Sequence, residues 1–287
     1  MPSISRPCGQ IHYERTGAGP RALVFVHGAL CDQSDWAPQL TYFGPRVPTV
    51  SLDLAGHGQS STTPGHIGVM HFAADLIALC DHLGLQQVAL VGHSMGCRVL
   101  LETARRRPDL VGGLVFIDGA YLTPGLLGEK SAAERQAQAD AARARGVALY
   151  QDQGPRQRAR RGFSQMFFDP RFDGIRDRMI ARAEVMPEHV ARELMPDFAA
   201  WDVLHLEECL AAVKAPALAL ACTYMNASHD RVSLEPHMRT PWLDALALHA
   251  PQAQVIRYAG SGHFPMLEQP ERVNREIAQF LDEHRLF

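Results

Sequence analysis

The stretch Leu90-Val91-Gly92-His93-Ser94-Met95-Gly96-Cys97 carries a G-x-S-x-G pattern between a predicted strand, Gln87 to Val91, and a predicted helix, Cys97 to Arg107. A serine on so sharp a strand-to-helix turn is held in a strained backbone, and small residues at 92 and 96 leave room for the turn to pack. The turn lifts the Ser94 hydroxyl off the sheet edge. It also sets the next backbone N–H groups at a helix N-terminus, where negative charge is favoured. A bare G-x-S-x-G occurs often by chance. An apolar strand before it and a long helical run after it make this instance specific.

Working outward, short apolar runs alternate with helical patterns. Ala22 to Val26, Val47 to Leu52, Val88 to Val91, Leu114 to Ile117, Ala217 to Ala221 and Gln254 to Tyr258 read as strands. Their apolarity is continuous rather than alternating, as a parallel sheet covered on both faces requires. Helical spacing near 3.6 runs through Met70 to Leu83, Cys97 to Arg107, Pro241 to His249 and Glu271 to Glu283. Repeated β-α-β order predicts an α/β fold, a mostly parallel doubly wound sheet. Gly9 to Arg15 is expected to add an antiparallel edge strand.

One block breaks the alternation. From Leu122 to about Leu206 no strand is convincing, and Ala, Arg, Glu and Gln abound, with two stretches ending in Met-Pro. The expected division is core at 1–121, a helical cap at 122–206, and core again at 207–287. The basic run from Arg156 to Arg161 lacks interleaved aromatics and reads as a solvated helix face. Phe163, Met166, Phe167, Phe168, Met179, Met186, Met195, Phe198 and Trp201 suggest an apolar lid, although most are expected simply to pack the cap onto the body.

At 287 residues and 46% hydrophobic the chain can bury a sizeable core. A net charge of −3 gives no electrostatic case for nucleic acid or an anionic membrane. No signal-like segment and no apolar run of bilayer length occurs. The six cysteines, at 8, 31, 80, 97, 209 and 222, include no C-x-x-C pair and read as reduced, mostly buried thiols of a cytoplasmic protein. The fourteen histidines show no H-E-x-x-H, so neither a metal nor a cofactor is expected. The partner expected is a small, largely apolar molecule.

A serine is a weak nucleophile until a histidine takes its proton and a third group orients that histidine. His263 lies in Gly260-Ser261-Gly262-His263-Phe264-Pro265, a glycine-rich loop after the last strand, in the order Ser then His. Its ordinary pKa of ~6.5 predicts activity lost just below neutral pH. Val26-His27-Gly28-Ala29 follows a strand and can aim the Ala29 N–H at the site, with the Met95 N–H as second oxyanion donor. His27 itself reads as a loop-packing residue. The acid has two candidates. Asp118 ends the run Leu114 to Ile117, whereas Asp230 lies nine residues beyond Ala221 along a polar loop. Attachment to a strand end fixes a side chain better than a long loop does, which places Asp118 ahead of Asp230.

The chain resembles the α/β-hydrolase superfamily over essentially its whole length. The resemblance rests on HGA at 27–29, DLAGHGQS at 53–60, GHSMG at 92–96 and GSGHFPMLEQPERVN at 260–274. It implies Ser94 as nucleophile, His263 as base and the Ala29 and Met95 amides as oxyanion donors; it assigns no catalytic role to 53–60. Most members carry the acid in a G-x-x-D turn after the strand before the last. Here that region reads Ala-Cys-Thr-Tyr-Met-Asn, which is similar instead to a subset, including certain lactone hydrolases and cofactor-free dioxygenases, whose acid follows the earlier strand.

The expected function is a serine hydrolase acting on a small carboxylic ester or lactone through an acyl-enzyme. Serine rather than aspartate at the elbow argues against dehalogenase and epoxide hydrolase chemistry, and Cys31 and Cys97 do not occupy the elbow. Two alternatives stand beside it: a cofactor-independent dioxygenase cleaving an N-heteroaromatic ring, and a non-catalytic small-molecule receptor. Fold analogy does not choose among them, because function lives in the site.

Overall fold

The computed structural model describes residues 2–7, 9–119, 130–226, 228 and 230–287. Cys8 and the expected boundary at 121/122 lie outside them. In chain order the described elements begin with β1 (Ser3–Arg6), β2 (Gly9–Thr16), β3 (Leu23–Val26), α1 (Ala37–Phe43), β4 (Thr49–Leu52), α2 (Val69–His82), β5 (Val88–His93), α3 (Met95–Arg106) and β6 (Val111–Ile117). Three long helices follow, α4 (Ala132–Ser164), α5 (Asp173–Glu184) and α6 (Glu188–Ala211). The chain then returns through β7 (Ala217–Ala221), β8 (Thr223–Met225), β9 (Arg231–Ser233), α7 (Pro241–His249), β10 (Gln254–Arg257), α8 (Pro265–Glu268) and α9 (Pro270–Glu283).

Eight strands form one sheet in the order β1-β2-β4-β3-β5-β6-β7-β10, parallel from β4 to β10. Strand β2 is antiparallel to both neighbours, as expected, but it is not the edge. That place belongs to β1, whose short, half-polar run Ser3-Ile4-Ser5-Arg6 gives no strand signal.

The continuous apolarity of the central strands has a direct cause. Along β5, Val88 and Leu90 enter the core on one face of the sheet while Ala89 and Val91 enter the core on the other. Strand β3 divides the same way, Val24 and Val26 from Leu23 and Phe25. Helices α2 and α3 supply Phe72, Leu76, Leu79 and Val99 to the first core. The second takes Phe43 from α1 and Ile277 and Phe280 from α9. Burying apolar surface on both faces makes β-rich, uninterrupted runs the only workable sequence there.

The helices between β6 and β7 dock onto this body through named contacts. Arg98 of α3 forms a buried bidentate pair with Asp202 of α6, at 2.6 and 2.7 Å. Arg182 of α5 reaches Asp32 and Asp35 at 2.8 and 2.7 Å. Asp197 accepts the Val69 N–H at the start of α2. Helix α6 runs on to Ala211, beyond the return expected at 206. Only the first Met-Pro marks a helix boundary: Pro187 caps α6, whereas Pro196 lies inside it, packed beside Gly146 of α4. Helix α4 kinks at Gly154.

Five of the cysteines, 31, 80, 97, 209 and 222, are free and buried. Among the described residues, no helix is long and apolar enough to cross a membrane.

Candidate active site

Four neighbouring strands end in one place. The Ser94 N–H donates to Ile117 O at the end of β6, the Asp118 N–H to Leu220 O in β7, and the Tyr258 N–H to Ala221 O. The sheet ladder therefore carries the residues after β5, β6, β7 and β10 to one carboxyl edge, where ligands of open α/β sheets gather.

At the first of these ends Ser94 has φ 52° and ψ −112°, a conformation a side-chain-bearing residue seldom takes. The flanking glycines make it possible. A Cβ on Gly96 would lie 2.4 Å from Val26 O, and one on Gly92 would lie 2.8 Å from the Gly96 carbonyl carbon. Ser94 thus sits before α3 with Met95 as the first helical residue, whose N–H has no earlier turn to bond to.

His263 Nε2 lies 2.9 Å from Ser94 Oγ, and His263 Nδ1 lies 2.6 Å from Asp118 Oδ2. A nitrogen and a carboxylate oxygen that close require a proton between them, so Nδ1 carries the hydrogen and Nε2 presents its lone pair to the serine hydroxyl. The loop holding His263 is pinned from two sides: its N–H donates to Met166 O after α4, while Glu268 accepts from the Gly262 and Phe264 N–H groups.

Asp118 is buried and left-handed at φ 45°. Its Oδ1 accepts from the Cys222 and Thr223 N–H groups, each at 2.9 Å, and its Oδ2 accepts from Thr223 Oγ1 at 2.5 Å as well as from His263. Burial opposes its charge, but these bonds and the nearby cations hold the carboxyl below its usual pKa. Asp230 is elsewhere. It is exposed in the turn between β8 and β9, and its Oδ1 accepts from Gln165 Nε2.

His263 departs from the ordinary histidine expected from sequence. Burial, and then the Arg231 guanidinium whose Nη1 stands 3.1 Å from Nδ1, outweigh Asp118 and push its pKa down to about 4.

A cavity of about 160 Å³ opens over Ser94 and His263, and Ala29 and Met95 both line it. Gly28 approaches so closely that a Cβ there would stand 3.3 Å from Ser94 Cβ, which brings the Ala29 backbone alongside the serine. His27 is a packing residue, as expected: its Nε2 accepts the Leu54 N–H and its Nδ1 donates to Gly28 O. The segment 53–60 is likewise structural, with Asp53 accepting the Gln33 and Gln59 N–H groups. Of the insertion's apolar residues, Met166, Met195 and Phe198 line the cavity. Phe163, Phe167 and Met179 are core, and Phe168 is exposed.

The sequence reading missed Thr223 and Arg231, which belong to a β8–β9 hairpin where a polar loop was expected. The available signal was Asn226, whose Oδ1 accepts from the Ser228 and Asp230 N–H groups to close the turn.

A sequence model described as the alpha/beta hydrolase family matches residues 23–276. The chain belongs to that family. Within it, 36% identity over 110 residues relates this chain to an (E)-2-((N-methylformamido)methylene)succinate hydrolase of Acinetobacter baylyi, covering 38% of this chain and 41% of that protein. An acetyltransferase component of an acetoin cleaving system from Pseudomonas putida is 28% identical over 280 residues, covering 95% of this chain and 66% of that one. The chain thus spans less than two thirds of the length of these curated relatives. Among solved structures, Est816, an N-acyl homoserine lactone degrading enzyme, aligns at TM-score 0.75 and 20% identity over 97% of this chain and all of that one. An esterase from Thermogutta terrifontis aligns at 0.68 and 24%, over 98% of each chain. Both likenesses are of fold.

Proposed function

We propose that this hydrolase cleaves a small carboxylic ester or lactone through an acyl-enzyme on Ser94. The reading rests on one observation, the unbroken line from buried Asp118 through both nitrogens of His263 to Ser94 Oγ on the wall of a cavity. Ser94 Oγ attacks the carbonyl carbon as its proton passes to His263 Nε2, and Asp118 steadies the imidazolium that forms. The Ala29 and Met95 N–H groups receive the developing oxyanion. Collapse expels the alcohol, protonated by His263, and water repeats the sequence to free the acid and Ser94.

The segment from α4 to α6 serves as a cap, supplying Met166 from the turn after α4 and Met195 and Phe198 from α6 to the apolar wall. A cavity of this size suits a short acyl or alcohol group. The names borne by the relatives, a substituted succinate hydrolase, an esterase and a lactone-degrading enzyme, fit a hydrolytic reading.

A serine-directed phosphonate, followed by peptide mass spectrometry, tests it. Stoichiometric label on Ser94, accompanied by loss of 4-nitrophenyl acetate hydrolysis, is the expected result. An unlabelled protein that consumes O₂ with a heteroaromatic substrate, without metal or flavin, would place the dioxygenase reading ahead.

A further inference from the structure

Arg231 opens β9 with a side chain only 7% exposed, and it lines the same cavity as Ser94 and His263. A guanidinium does not shed its charge in a protein, and a buried charge without a counter-ion is costly. Asp118 is its counter-ion at 3.8 Å, but the hydrogen-bonding capacity of that carboxylate is already filled. Four donors, Cys222 N, Thr223 N, Thr223 Oγ1 and His263 Nδ1, occupy its two oxygens, and a carboxylate offers about four lone-pair sites. Arg231 Nη1 accordingly stands 3.8 Å from Asp118 Oδ2 and donates to Thr223 Oγ1 instead, at 2.7 Å.

Among the described residues, Arg231 Nε and Nη2 have no hydrogen-bonding partner. The other arginine on the cavity wall differs, since Arg98 is gripped by both oxygens of Asp202. Arg231 therefore presents positive charge and N–H donors to a cavity whose wall includes Met166, Met195, Phe198 and Met225 as well as Gln165. Only the width of the His263 imidazole separates it from Ser94.

We propose that Arg231 binds a carboxylate carried by the substrate of Ser94, so that the natural ester or lactone is itself an acid. The proposal rests on the hydrolase reading and narrows it: the carboxylate and the carbonyl under attack lie a few bonds apart, as in the half-ester of a small dicarboxylic acid or a lactone bearing a carboxyl group. It also revises the largely apolar ligand expected from sequence. The planar fork of an arginine matches the two oxygens of a carboxylate in a way that a lysine does not.

Calorimetric titration with succinate and with its neutral counterpart succinamide tests this on the wild type, Arg231→Met and Arg231→Lys. The wild type should bind succinate on the order of tenfold or more tighter than succinamide. That ratio should fall to about one in Arg231→Met and survive only in part in Arg231→Lys. Equal affinity for the two compounds in the wild type, including none for either, would overturn the proposal, as would a preference that persists in Arg231→Met. A ratio taken within one protein is insensitive to any unfolded fraction, and the wild-type comparison stands even where a variant fails to fold. Hydrolysis of 4-nitrophenyl acetate by wild type and Ser94→Ala runs alongside. Succinate preference without Ser94-dependent hydrolysis would remove the hydrolase reading and leave the carboxylate site standing.

Discussion

Asp118 Oδ2 stands 2.6 Å from His263 Nδ1, with both side chains 2% exposed, and the same carboxylate is fixed by two backbone N–H groups just beyond β7, those of Cys222 and Thr223. Asp118→Asn keeps the shape but loses the charge that holds the imidazole in its working tautomer. Such a change costs about 10⁴ in kcat in the best-studied triad, and a collapse of that order is expected here. Asp230→Asn touches only an exposed turn and should change kcat by less than about tenfold, or ~1.4 kcal/mol. Steady-state kinetics of the two variants decide the matter, and the reverse ranking would contradict the geometry.

The pH profile should be shifted in the acid direction. With His263 pushed down to about 4, kcat/KM for a neutral ester should stay level from pH 8 to about 5.5, since the base is already unprotonated there. A midpoint near ~6.5, the ordinary histidine value, would mean that the imidazole is neither as dry nor as close to Arg231 as described.

Stability should move with pH in a matching sense. Burial lowers His27 to about 4, His57 to about 3, His93 well below its usual value and His263 to about 4. The unfolded chain therefore binds more protons than the folded one between pH ~6.5 and ~4, and the stability held at neutral pH is lost as pH falls through that window. Each of these histidines contributes up to ~1.4 kcal/mol per pH unit. Urea midpoints taken at pH 7.5, 6 and 5 should fall steadily, whereas an unchanged midpoint would show that these rings protonate freely in the folded state.

Breaking the Arg98–Asp202 pair should cost more than deleting it. Asp202→Leu leaves Arg98 buried against α6 without its bidentate partner, a loss of about 3–5 kcal/mol. Replacing both residues by leucine should recover part of that loss in a denaturant titration. Equal losses for the single and double variants would mean that the arginine finds solvent or another partner.

The parts of this architecture legible in sequence are those where one physical cause dominates. Two-sided burial wrote the strands around Val24, Val91 and Val115 as unbroken apolar runs. The crowding of Gly96 against the β3 end, and of Gly92 against Gly96, made the elbow visible as a motif. Attachment to the end of β6 sets Asp118 beside His263, whereas Asp230 stands in an exposed turn. The rest depends on tertiary context. Strand β1 is four residues of mixed polarity held by pairing with β2, and Thr223 and Arg231 reach the site only because two three-residue strands, β8 and β9, pair as a hairpin. No local pattern announces a buried arginine, since its cavity is assembled from α3, α4, α6 and the His263 loop.

The central claim, that Ser94 and His263 act as one unit, is tested most directly by the hydrolysis rates of wild type, Ser94→Ala, His263→Ala and the double variant on one 4-nitrophenyl ester. Each single change should lower kcat by on the order of 10⁶, and the double variant should be scarcely slower than either. Near-wild-type turnover by Ser94→Ala, or losses that simply multiply in the double variant, would contradict it.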